Sequence, residues 1–176
     1  MKLVYILSIA ITLISCKNNS KPTIAKFEGL DLTQNASIER DKATKKAAFI
    51  STLSDNWEIY YGNSVDSIDF SKPILTGNGN GSFPLNIPID KRGYFQLITP
   101  KGKAILAERH LPMAGGFNFR DLGGYKTAEG KYVKWGKIIR SDDLATLTDA
   151  DLYYLASLPL LSDVDYRSKE EIALGN

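Results

Sequence analysis

The sequence changes character at Gly115, and that boundary limits the folds open to it more than any other feature. From Gly115 to Tyr125 (Gly-Gly-Phe-Asn-Phe-Arg-Asp-Leu-Gly-Gly-Tyr) four glycines surround an Arg-Asp pair. Such a composition calls for tight backbone turns that hold charged groups at defined places. Beyond it, strand and helix signals alternate; before it, short aromatic and β-branched stretches are punctuated by turn residues, without helical periodicity. The expectation is an α+β chain, with a β-rich unit over 27–110 and an α/β unit over 111–176. A length of 176 residues with 43% hydrophobic content allows one domain or two small ones.

Within the first unit, Lys26 to Leu32 and Ala47 to Leu53 read as strands, and Trp57-Glu58-Ile59-Tyr60-Tyr61 reads as a strand ending in a turn at Gly62. Thr76 to Ser82 (Thr-Gly-Asn-Gly-Asn-Gly-Ser) predicts a flexible loop. It is a poor phosphate cradle, because Phe83-Pro84 does not open the helix that such a loop normally leads into. Phe83 to Ile89, with Pro84 and Pro88, suits an edge strand or extended loop, since proline cannot donate to a central ladder. Tyr94 to Ile98 and Lys103 to Glu108 form a hairpin about Thr99-Pro100-Lys101-Gly102. Short strands at this spacing predict a β-sandwich-like domain of immunoglobulin or fibronectin type III character.

The amino terminus carries a processing signal. Lys2 precedes an apolar run from Leu3 to Ile14, which is too short to cross a bilayer core of ~30 Å as an ordinary helix. Residues 1–15 are expected to be a signal peptide, and Leu13-Ile14-Ser15-Cys16 resembles a lipobox, in which cleavage precedes a lipidated cysteine. The alternative is an ordinary secretory peptide with an incidental cysteine. Cys16 is the single cysteine in the sequence, so no intrachain disulfide exists. Residues 16–26 are then a polar tether, the membrane is reached through the lipid anchor, and the location is a bacterial cell envelope. A net charge of +2, with scattered Lys and Arg, argues against a nucleic-acid binder. The sole histidine, His110, falls in the connection between the units, so no histidine cluster supports a metal.

In the second unit, Lys137-Ile138-Ile139-Arg140 reads as a strand delivering an arginine at its end. Thr148 with Asp151 predicts a capping box for a helix with Leu152, Leu155, Ala156 and Leu158 on its apolar face. Leu160 to Val164 reads as another strand ending in Asp165-Tyr166-Arg167, and Ser168 with Glu171 predicts a second capped helix. Arg140 and Arg167 each follow a predicted strand, where open α/β sheets bind ligands, and arginine suits planar contact with phosphate. Spacing alone leaves a second reading open: Arg120 with Asp121, and Arg167 with Asp165 or Glu170, as structural ion pairs that pin turns.

Taken in order, Asn118-Phe119-Arg120-Asp121-Leu122-Gly123-Gly124, Gly136 to Asp142 with Leu144, Thr148 to Asp151, and Asp165-Tyr166-Arg167 with Glu170 resemble the N-terminal part of a bacterial tyrosine/serine phosphatase family. That family includes secreted mycobacterial and Listeria enzymes, and the resemblance runs from about Gly115 to Glu171. It implies a sheet flanked by helices, hydrolysis of phosphate monoesters on protein tyrosine, sometimes serine or threonine, or on phosphoinositides, and neither metal nor cofactor. Such chemistry uses a cysteine thiolate in a His-Cys-x5-Arg loop. Cys16 has no such loop around it. The expected α/β unit is therefore an incomplete phosphatase domain, this chain is expected to be inactive alone, and a longer parent phosphatase is expected. In a completed domain Arg120, Asp121, Arg140 and Arg167 would bind the substrate phosphate, and Asp165 would give polar or acid assistance. The alternative is a non-catalytic envelope lipoprotein that uses the β-rich unit as a binding module.

Overall fold

A computed structural model of the chain describes residues 28–174. The stretches expected to be a signal peptide (1–15) and a tether (16–26), and with them the expected lipidation of Cys16, lie outside the described residues. The first strand, β1 (Glu28–Gly29), is a short edge; β2 (Ala36–Arg40) and β3 (Ala47–Ser51) then alternate strictly, with Ala36, Ile38, Arg40, Ala47, Phe49 and Ser51 buried. Alternation of this kind places one face of each strand inward. β4 (Asn56–Gly62) buries Trp57 and Ile59, and a single 3-10 turn, Val65–Ser67, follows.

The glycine-rich segment differs from the expected flexible loop. Leu75–Asn78 is β5 and Gly81–Leu85 is β6, and only Gly79 and Asn80 stand between them. β5 pairs with β4, whereas β6 pairs with β3, so the chain changes sheets at Gly79. The Gly79 carbonyl is held from both sides, accepting from Ser51 Oγ at 2.9 Å and Trp57 Nε1 at 3.0 Å. Pro84 lies in β6, an edge strand, where the missing N–H costs no ladder bond. β7 (Tyr94–Thr99) and β8 (Gly102–Ala107) form the hairpin, closed at Thr99 and Gly102.

Two antiparallel sheets result, ordered β1-β8-β7-β4-β5 and β2-β3-β6. They face each other across one core in which Ile38 and Phe49 meet Trp57, Ile59, Phe95, Leu97 and Leu106. The Phe49 and Trp57 rings touch edge to face at 4.8 Å. β7 is buried on both faces, because Trp135 packs with Tyr94, Ile105 and Ala107 on the outer side of the larger sheet.

The remaining elements are β9 (Arg120–Asp121), β10 (Ile139–Arg140), α1 (Asp149–Ala156) and α2 (Lys169–Leu174). β9 and β10 pair with each other in antiparallel fashion. No parallel strand-helix-strand unit forms among the described residues, and 160–164 forms no strand, with Leu161 97% exposed. Both predicted capping boxes are present: Thr148 and Asp151 exchange bonds, as do Ser168 and Glu171. The buried face of α1 is the expected one in part: Leu155 and Leu158 pack inward, joined by Asp151 and Tyr154, while Leu152 and Ala156 are exposed. The α+β character holds, with sheet predominant.

Candidate functional site

The Arg120-Asp121 pair splits across the two faces of β9. Successive strand residues project to opposite sides, so Asp121 is fully buried and Arg120 exposed. Asp121 Oδ1 accepts from Gly123 N at 2.7 Å and Oδ2 from Gly136 N at 2.7 Å, and Arg92 Nη2 pairs with Oδ2 at 2.6 Å. Both carboxylate oxygens are therefore committed inside the fold. The glycines around it answer to one neighbour: a Cβ on Gly123 would lie 2.4 Å from Trp135 Cα, and one on Gly124 2.4 Å from Trp135 Cζ2.

Arg140 is the Cα partner of Arg120 in the β9–β10 ladder, and His110 bridges Arg120 on the other side. Arg167, by contrast, is taken up by Asp165: its Nε lies 3.1 and 3.0 Å from the two carboxylate oxygens, and its Nη2 donates at 2.8 Å. Asp143 adds a longer ion pair at 3.7 Å. The hydrogen bonds from Arg167 hold the Asp165 carboxyl below the ordinary carboxylate range. These two residues line a cleft of about 740 Å³ that also presents the carboxylates of Asp142, Asp143, Asp163 and Glu171. Arg120 and Arg140 do not line it. The site residues expected from sequence thus occupy three places: a buried turn (Asp121), an outward ladder (Arg120 and Arg140) and an acidic cleft (Asp165 and Arg167).

The glycine turn that opens this region is fixed from below by α1. Asp151 accepts from Ala114 N and Gly115 N at 2.8 Å each, and from Thr148 N at 3.1 Å. Burial alone would raise its pKa, but those N–H donors outweigh burial and lower it to about 2. Gly115 has no room for a side chain, since a Cβ would fall 1.8 Å from the Thr146 carbonyl oxygen.

A second buried group was not singled out in the sequence. Glu108, fully buried at the end of β8, accepts from Arg40 Nε at 3.0 Å and Nη2 at 2.7 Å, and from the Tyr154 hydroxyl. Burial, with the Glu108 charge behind it, pushes the Tyr154 hydroxyl far up. Arg92 donates to the Glu108 carbonyl at 2.8 Å as well as pairing with Asp121.

Residues 111–175 match the model of the tyrosine phosphatase family. No curated protein and no solved structure matches the chain. The stretch similar to a tyrosine phosphatase contains Arg120, Asp121, Arg140, Asp165 and Arg167, but the buried partners of its Asp121 and Tyr154 lie outside it, in Arg92 and Glu108. Arg40 carried a legible signal, because it continues the inward phase of Ala36 and Ile38. Arg92 carried none, since it lies in irregular chain just before β7.

Proposed function

We propose that residues 111–176 are the entry portion of a cysteine-dependent phosphatase domain acting on phosphomonoesters, above all phosphotyrosine in proteins. The family match over 111–175 carries this reading. The nucleophile is not among these residues: Cys16 is the only cysteine in the sequence, and as a lipidated residue in a bacterial envelope lipoprotein it would have no free thiol. In the completed enzyme a thiolate forms a bond to phosphorus as the ester P–O bond breaks, an acid protonates the departing oxygen, and water later releases phosphate.

Of the four arginine and aspartate residues assigned to substrate, Arg120 and Arg140 have guanidiniums available for phosphate oxygens. Asp121 supports them from behind by fixing the turn. Arg167 would join only by exchanging Asp165 for the substrate, which would free the Asp165 carboxylate from that ion pair. The two-sheet unit before it, with strands from both sheets sharing one core, fits a fibronectin type III-like module that braces this domain.

The test is the genomic DNA beyond the codon for Asn176. An open frame running into a His-Cys-x5-Arg loop, whose product hydrolyses p-nitrophenyl phosphate, is expected. A stop codon at that point, or turnover by residues 17–176 alone, would overturn the reading.

A further inference from the structure

Of the chain's arginines, Arg40, Arg92 and Arg167 are ion-paired, to Glu108, Asp121 and Asp165. Arg109 donates to the Asp121 carbonyl at 3.1 Å and lies 4.1 Å from the Tyr125 ring centre. Arg120 and Arg140 remain, and the ladder sets them directly against each other. Among the described residues neither makes an ion pair or a side-chain hydrogen bond. Directly opposed residues of antiparallel strands project to the same face, and like charges so placed repel. That face points outward, because the residues flanking Arg120, namely Phe119 and Asp121, are buried. His110, bridged to Arg120 from the other side, extends the row across three adjacent backbone segments and is itself exposed. Asp142, next but one to Arg140, accepts from the Asp143 N–H at 3.0 Å and pairs with neither guanidinium.

We infer that His110, Arg120 and Arg140 form an oxyanion seat on the outer face of β9–β10 that takes the phosphate of a phosphomonoester. A tetrahedral dianion between the two guanidiniums would accept from both and cancel their repulsion, and the imidazole closes the row on the third side. The choice of phosphomonoester over other oxyanions rests on the phosphatase reading. The seat itself rests on the register of three backbone segments and on the two guanidiniums having no ion-pair partner among the described residues, and it requires no nucleophile.

The experiment is a titration of the full chain, in mild detergent at fixed ionic strength, with inorganic phosphate and separately with O-phosphotyrosine. Arginine Nε–Hε resonances are followed by nuclear magnetic resonance, with chloride as the control. Saturable, joint shifts of Arg120 and Arg140 are expected, and Arg120→Gln or Arg140→Gln should weaken binding by roughly tenfold each, the loss of one charge-assisted contact. His110→Gln should weaken it less, and the double Arg→Lys variant should retain binding. Without phosphate, at low salt, Arg120→Gln should raise the thermal midpoint, because the repulsion is gone. Shifts that chloride reproduces, binding indifferent to both glutamine variants, or a lowered midpoint would each overturn the seat. A silent titration removes the seat whatever the DNA beyond Asn176 encodes, and a missing catalytic loop there removes turnover but leaves this titration unchanged.

Discussion

Asp151 joins the first turn of α1, the Gly115 turn and the ammonium of Lys45, 3.7 Å away, so its charge state should be felt throughout the C-terminal unit. Its folded pKa of about 2 lies below the ordinary 3.8. A depressed carboxylate contributes stability that is fully present above its unfolded pKa and is lost as pH falls through the folded one. About 2 kcal/mol should therefore disappear between pH 4 and pH 2. Asp151→Asn should lose about 1–3 kcal/mol at neutral pH, because at least one buried N–H is left without its acceptor, and its stability should be flat across that acid window. Urea unfolding at a series of pH values checks both, and an equal acid slope in the variant would refute the assignment. The Thr148–Asp151 cap was legible from a spacing of three residues. The bonds of the same carboxylate to Ala114 and Gly115 were not, because they depend on where a distant turn is carried by the fold. Arg120 and Asp121 show the same limit: adjacency in sequence implied a pair, whereas the strand pleat sends them to opposite faces.

Glycine misled at the level of elements. The segment from Thr76 to Ser82 looks flexible by composition, yet Gly77 lies in β5 because the Trp57 ring fills the space above it; a Cβ there would come within 2.4 Å of Trp57 Cζ2. Gly77→Ala should cost about 1–3 kcal/mol through overpacking against a fully buried indole. Gly79→Ala meets no atom, and its φ of +75° alone imposes a cost of about 1 kcal/mol. Chemical denaturation of the two variants should therefore rank them in that order, and the reverse order would show that the sheet crossing at Gly79, not the packing at Gly77, fixes β5. Strands β4, β7 and β8 of the larger sheet were readable because strand propensity and aromatic content are local properties. The stretch 160–164 reads as a strand locally but forms none, since no partner strand lies beside it among the described residues. The helix α1 was found through its cap, and its inward face was half legible: Leu155 and Leu158 pack inward as expected, but Tyr154 turns in to reach Glu108 and Leu152 stays outside.

Charged groups hold the two units together, and they lie on both sides of the boundary at Gly115. Glu108 takes Arg40 from the smaller sheet and Tyr154 from α1, while Arg92 ties the Glu108 carbonyl to Asp121 behind the glycine turn. Trp135 covers the outer face of the larger sheet and donates to the Ile105 carbonyl at 3.1 Å. A region that buries its charges against its neighbour should not unfold separately from it. In each single-tryptophan variant, Trp57→Phe or Trp135→Phe, fluorescence and far-ultraviolet circular dichroism should share one midpoint, although one indole sits in the sandwich core and the other on its outer layer. Glu108→Gln leaves the buried Arg40 charge without compensation and should cost about 3–5 kcal/mol. Tyr154→Phe removes one donor and keeps the ion pair, so it should cost about 1–3 kcal/mol. The Trp135 signal of the Glu108 variant should then move below the Trp57 signal, because the C-terminal unit loses its tie while the core between the sheets keeps its own packing. Separate midpoints in the chain with Glu108 intact would mean that the β-rich unit folds independently and that a binding role of its own is open to it. A single midpoint that splits only on loss of Glu108 would make it a brace, and a phosphate seat at His110, Arg120 and Arg140 would then depend on Arg40 and Arg92 although neither belongs to it.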